Sequence, residues 1–186
     1  MFCSLTMPLS QNKSGKQKDG ATAKDASLIL ALSALSSQFA ERSFPMTIAS
    51  DLLERHIQTL VADPAHWQTL IADDMVWELA YAPAIGHPAR LSGRDEIIRH
   101  VTWFLSAVEN FRFIEPRISA FADPLAAVVQ VKAEALIKPT GRVYRQEYVM
   151  FLIAKDGKIA HIREYFDPTR AAKSMNESIL DLEPWF

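Results

Sequence analysis

The feature that most constrains this chain is the run from Phe111 to Asp167, where four long segments of alternating apolar and polar residues follow one another with short breaks. Side chains of a strand alternate between faces with a period of two, so the run predicts a meander of strands burying one face. The segments are FRFIEPRISAF, with a proline near its middle, then Leu125 to Ile137, Val143 to Ala154 and Lys158 to Asp167. The last two are joined by AKDGKI. Asp-Gly is a strong hairpin signal, because the two-residue turns that suit twisted strands need residues tolerant of positive φ.

Three helical patterns come first. Ser50 reads as the cap of a helix over Asp51 to Val61, with Leu53, Ile57, Leu60 and Val61 on one stripe. Asp63-Pro64 opens a second, which carries Trp67, Leu70 and Ile71 and runs out near Asp73-Asp74. Met75 to Tyr81 reads as a strand and APAIGHPARLSG as a long loop. A third helix spans about Arg94 to Asn110, with Asp95 and Glu96 in its first turn and Ile97, Ile98, Val101, Leu105 and Val108 as its stripe. Three helices followed by a meander predict an α+β fold, with helices covering one face of a curved antiparallel sheet.

With 186 residues the chain suits one domain and an extension. Residues 1–45 read as a disordered or weakly helical extension, because SQNKSGKQKDGATAKD is polar and lysine-rich. Residues 46–186 read as a single domain, and Met46, just before the first helix, is a candidate start of the functional chain. The apolar run SLILALSALSSQFAER is short for a membrane span. A net charge of -2 and the absence of a basic stripe argue against nucleic acid. The single cysteine, Cys3, excludes an intramolecular disulfide framework and a cysteine-rich zinc site, and the cytoplasm fits best.

One carboxylate breaks the pattern. On the last strand Ala160, Ile162 and Phe166 share an apolar face with Glu164. Counting outward from Asp156-Gly157 sets Ala154 opposite Ile159, Phe151 opposite Ile162, Val149 opposite Glu164 and Glu147 opposite Phe166. That pairing makes Glu147 a diagonal neighbour of Glu164. Two carboxyls in an apolar setting resist joint ionisation, and one with a raised pKa can act as an acid or base near neutral pH. The alternatives are an ion pair of Glu147 or Glu164 with Arg145, or a helix N-terminus against Glu164; a bulge in the hairpin would break the pairing. His100 lies on the flank of the third helix between Ile97 and Phe104, either facing the sheet or as a half-exposed spacer. Trp77, Tyr81, Trp103 and Tyr144 are candidates for a pocket lining or for plain core. His87 reads as a surface residue, and His56, His66 and His161 show no metal-site clustering. The opposite face, with Tyr144, Tyr148, Met150, Leu152 and Tyr165, is too apolar for open solvent and is the expected dimer surface, with LEPWF packed across it.

Two stretches carry a resemblance. GRDEIIRHVTWFLSAVENFRF and YRQEYVMFLIAKDGKIAHIREYFDP resemble, without internal gaps, segments of the phenazine biosynthesis A/B proteins, which belong with SnoaL-like polyketide cyclases and ketosteroid isomerase to the nuclear transport factor 2-like superfamily. The resemblance covers about residues 46–173. It implies a cone-shaped, strongly bent sheet wrapped around the N-terminal helices, a deep pocket and a homodimer. It also places the family's acid/base group at Glu164, its active-site histidine at His100 and a pocket tyrosine at Tyr144. KPTGRV replaces the family's glycine-tyrosine-proline run, and Glu147 replaces a strand histidine. The resulting expectation is an acid/base enzyme needing no metal or organic cofactor, acting on a cyclic or carbonyl-bearing small molecule by isomerisation, cyclisation or condensation. In it Glu164 moves the proton, His100 hydrogen-bonds or protonates the carbonyl or imine, and Glu147 tunes Glu164 or binds an amine. A non-catalytic ligand-binding or scaffold protein of the same fold is the alternative.

Overall fold

A computed structural model describes residues 46–180 of the protein. The extension expected over residues 1–45 and the LEPWF segment lie outside the described residues. The elements run α1 (Ile48–Ala62), α2 (Pro64–Leu70), β1 (Ile71–Leu79), a 3-10 turn (Ala82–Ile85), β2 (Arg90–Ser92), α3 (Arg94–Ala107), β3 (Val108–Ala120), β4 (Ala126–Ile137), β5 (Arg142–Lys155), β6 (Lys158–Tyr165) and α4 (Pro168–Met175). The six strands form one sheet in the order β2-β1-β6-β5-β4-β3. Its pairs are antiparallel except β1 with β6, which run parallel.

The helix starts follow their caps. Thr47, not Ser50, caps α1: its hydroxyl accepts from the Ser50 N–H at 3.2 Å, and the Ser50 hydroxyl accepts from the Thr47 N–H at 2.7 Å. This reciprocal pair satisfies two otherwise orphaned donors and starts the helix three residues earlier than expected. Asp63 and Pro64 open α2 as the sequence predicts. The helix ends at Leu70, however, and β1 begins at once with Ile71, so the expected run to Asp73-Asp74 is strand. Likewise α3 stops at Ala107, and Val108 to Asn110 are already strand.

The sheet bends where its ladder is interrupted. Register shifts in β3 fall between Glu109 and Arg112 and between Ile114 and Arg117, each beside a residue with positive φ, Asn110 or Glu115. Pro116 is tolerated because β3 is an edge strand. Helix α1 lies against β3, β4, β5 and β6 and buries Leu52, Leu53, His56 and Leu60 there.

The β5–β6 hairpin corrects the expected facing. Its turn is as predicted, with φ of 53° at Asp156 and 72° at Gly157, and Ala154 pairs with Ile159. One step on, Ile153 pairs with His161 rather than Ala160, so Ala160 is an inserted bulge residue. Every later pair moves by one: Leu152 meets Ile162, Met150 meets Glu164 and Val149 meets Tyr165. A one-residue slip exchanges the two faces of a strand. Tyr144, Tyr148, Met150 and Leu152 are therefore buried inside, and only Tyr165 of the expected dimer surface stays on the outer face. Val143, Glu147, Phe151 and Ile153 of β5 are the residues that face out.

Candidate active site

Glu164 is held by its strand before its side chain is considered. β6 lies between β1 and β5, where Glu164 pairs with Leu79 on one side and Met150 on the other. Its carbonyl also accepts from the Ala80 N–H at 3.0 Å. Just beyond, the buried Gln146 amide donates to the Asp167 carbonyl at 2.8 Å and accepts from the Asp167 N–H at 3.1 Å, fastening the end of β6 to β5. These ties leave the carboxyl little freedom except at its side-chain torsions.

That carboxyl enters a cavity of about 110 Å³ under α1 and α3. Trp77 and Leu79 of β1, Tyr144, Tyr148 and Met150 of β5, and His100, Trp103 and Phe104 of α3 form its walls. His87 from the loop after the 3-10 turn completes the rim, and Ala171 and Met175 of α4 close the far side. Glu164 is 6% exposed, and its Oε2 accepts from the Trp77 indole N–H at 3.2 Å. The Tyr144 and Tyr148 hydroxyls are hydrogen-bonded to each other at 2.5 Å. Trp103 sits between two imidazoles, 5.3 Å from His87 and 5.6 Å from His100.

The cavity favours neutral groups. Burial pushes the Glu164 carboxyl up to about 8, and the Trp77 N–H only partly offsets this by stabilising the anion. Burial also raises both tyrosines well above their ordinary value, and the nearby Glu164 charge adds to it. His100 is lowered, first by burial and then by His87, with Glu96 opposing. At neutral pH the site therefore holds a carboxylic acid, two phenols and the neutral His100 imidazole. Such a set can donate hydrogen bonds to a polar substrate atom, and it can move one proton through Glu164.

The expected site residues divide cleanly. Glu164, His100, Tyr144, Trp77 and Trp103 come together around the cavity. Glu147 does not: the Ala160 bulge turns it to the outer face, where it is exposed and neighbours Lys132 and Glu115, so it neither neighbours Glu164 nor reaches a ligand in the cavity. Tyr81 is also outside, 49% exposed and edge-on to Tyr165 at 5.7 Å. His87, read as a surface residue, lines the rim, and Tyr148 is an inner residue missed through the same facing error. Helix α4 was unanticipated, although Asp167-Pro168 repeats the Asp-Pro signature of α2, and Asp167 accepts from the Thr169 and Arg170 N–H groups. Among the described residues no group of three or more His, Cys, Asp or Glu could hold a metal ion. No described helix is long and apolar enough to cross a membrane.

Comparison with known proteins agrees with this architecture. The pattern of the SnoaL-like domain family matches residues 53–162. The uncharacterised protein YesE of Bacillus subtilis is 27% identical over 124 residues, which are 67% of this chain and 84% of that protein. An uncharacterised PhzA/B-like protein of Pseudomonas aeruginosa is 27% identical over 128 residues, 68% of this chain and 89% of the other. Among solved structures, a hypothetical protein of Catenulispora acidiphila with a ketosteroid isomerase-like fold, in complex with trimethylamine, superposes with a TM-score of 0.58 at 14% identity, covering 73% of this chain and 99% of that one. At that identity the likeness is one of fold.

Proposed function

The chain belongs to the SnoaL-like domain family, and from that premise we propose that it is an acid/base enzyme acting on a small cyclic molecule that carries a carbonyl or imine. The observation that carries this reading is Glu164: one buried carboxyl, held by an indole N–H at 3.2 Å, in a cavity otherwise walled by aromatic and aliphatic groups. With a pKa of about 8, roughly a tenth of it is ionised at neutral pH, enough to serve as base, while the remainder serves as acid.

In this mechanism Glu164 removes a proton beside the carbonyl or imine and returns it at another atom of the substrate. His100 and the Tyr144–Tyr148 couple are the neutral donors available to the oxygen or nitrogen on which charge develops. Donors set in place in a largely apolar cavity need no reorganisation as that charge appears. Proton transfer by a positioned group contributes typically ~10²- to 10⁴-fold, which suits isomerisation, cyclisation or condensation of activated substrates. The apolar walls select a largely apolar ring and, by their size, a compact one.

The test is turnover of a panel of cyclic ketones and imines by the wild type and by Glu164→Gln. Turnover lost in the variant, with ligand binding retained, supports the enzyme. Binding without turnover in the wild type would instead make the protein a ligand carrier.

We also propose that the chain forms a homodimer through its outer sheet face, sharing only Tyr165 with the surface the sequence predicts. Phe121 stacks on Phe151 at 6.2 Å, Phe151 meets Tyr165 edge-on at 6.2 Å, and Tyr165 meets Tyr81. Beside this row Ile153, two residues from Phe151 on the same face of β5, is 49% exposed. A contiguous apolar strip of this kind on a sheet face is a self-association surface. A monomer at micromolar concentration in sedimentation equilibrium would refute it.

A further inference from the structure

His56 has no role in the mechanism above, yet it is a fully buried polar side chain. It points inward from α1 between Leu53 and Leu60 and has no solvent exposure. Its Nδ1 accepts from the Trp67 indole N–H at 3.0 Å. A neutral imidazole that accepts at Nδ1 must carry its proton on Nε2, so Trp67 selects the tautomer. Burial lowers the ring to about 4 and keeps it neutral at physiological pH.

The Nε2–H is then a buried donor with no hydrogen-bond partner among the described residues. What it has nearby are indole rings. Trp77 meets His56 edge-on, with centroids 5.6 Å apart and planes at 66°, and Trp67 does so at 6.2 Å and 63°. Trp77 is the residue whose own N–H holds Glu164. An aliphatic side chain would fill the same space without burying a donor, so the polar ring calls for a reason beyond packing.

We propose that His56 is a positioning residue: locked in one tautomer by Trp67 and set edge-on against Trp77, it fixes the indole whose N–H holds Glu164. The Nε2–H supplies a weak N–H to π contact on the Trp77 ring, and the chain of contacts Trp67, His56, Trp77, Glu164 links α2, α1, β1 and β6. The other titratable groups sharing the cavity with Glu164 are Tyr144 and Tyr148 from β5, His100 from α3 and His87 from the rim loop. None of them is a hydrogen-bond partner of His56. The catalytic consequence rests on the reading of Glu164 given above, whereas the contact itself can be read by titration with or without turnover.

The experiment is carbon NMR titration of the Glu164 carboxyl in the wild type, H56L, W77F and H56L/W77F, with E164Q to assign the resonance. Losing the indole donor should raise the Glu164 pKa, and H56L should move it in the same direction by about half a pH unit or more. The double variant should go no further than W77F alone, because His56 acts only through Trp77. H56Q, which restores an N–H, should bring the value back toward that of the wild type. An unchanged Glu164 titration in H56L, or a shift that adds in full to that of W77F, overturns the proposal. If H56L does not fold, W67F answers the same question by releasing the tautomer: a Glu164 shift toward that of W77F supports the proposal, and none overturns it.

Discussion

Replacing Glu164 by Gln should stabilise the protein, and by more as the pH rises. The carboxyl ionises at about 8 in the folded state against an ordinary value of 4.5. Between those values the folded chain keeps a proton that the unfolded chain has released, so stability falls with rising pH and the full loss is reached above the folded pKa. At ~1.36 kcal/mol per pH unit the whole span corresponds to roughly 5 kcal/mol. Water entering the cavity as the carboxylate forms reduces this, so the measured total should be about 3 to 5 kcal/mol. Glutamine has nearly the shape of the protonated acid and can still accept from the Trp77 indole, but it cannot ionise. Urea unfolding of both proteins from about pH 5.5 to about pH 8.5 should show a difference that widens steadily in favour of the variant. His56 and His100 titrate alike in both proteins and cancel in the difference. A difference that stays flat, or narrows as pH rises, would mean that Glu164 is already ionised in the folded state, and the proton-transfer reading would fall with it.

Other outcomes follow from the same geometry. His56 is depressed from 6.5 to about 4, so it contributes stability above its ordinary pKa that is lost as pH falls through the folded value; H56L should flatten that acid limb in urea unfolding. Glu147→Ala, on the exposed outer face, should change stability by less than about 0.5 kcal/mol and leave turnover unaltered, as steady-state kinetics would report. Phe151→Asp places a charge in the outer aromatic row and should convert a sedimenting dimer to monomer without altering the Glu164 titration. Asp167→Ala removes the cap of α4 and should cost about 1 kcal/mol in urea unfolding.

What the sequence disclosed depends on how local the signal was. Asp156-Gly157 gave the turn, Asp63-Pro64 gave a helix start, and the alternation around Ile162 and Glu164 gave the inner face of β6, because each is decided within a few residues. The facing of β5 is not legible across the hairpin, because one inserted residue, Ala160, reverses the count from β6. No local chemistry marks Ala160 as a bulge; it is neither glycine nor a residue with positive φ. That one slip explains the misplacing of Glu147 beside Glu164 and of Tyr148 on the outer face. His87 was missed for another reason: its approach to the cavity depends on how a long loop is folded back over α3, which no periodicity encodes. His56 carries no signal in its own neighbourhood, because its partner Trp67 lies eleven residues away on the next helix.

The acid and the walls around it are anchored differently. Glu164 belongs to a central strand tied on both sides, with Gln146 fastening its end, whereas Trp103, Phe104, Ala171 and Met175 come from two helices at the periphery and His87 from a loop. Mutations in those outer elements can resize or repolarise the cavity without displacing the carboxyl. Descendants of one such chain are thereby free to diverge in the shape and polarity of the cavity while inheriting the same buried carboxyl, so what the cavity fits can drift independently of the acid it holds.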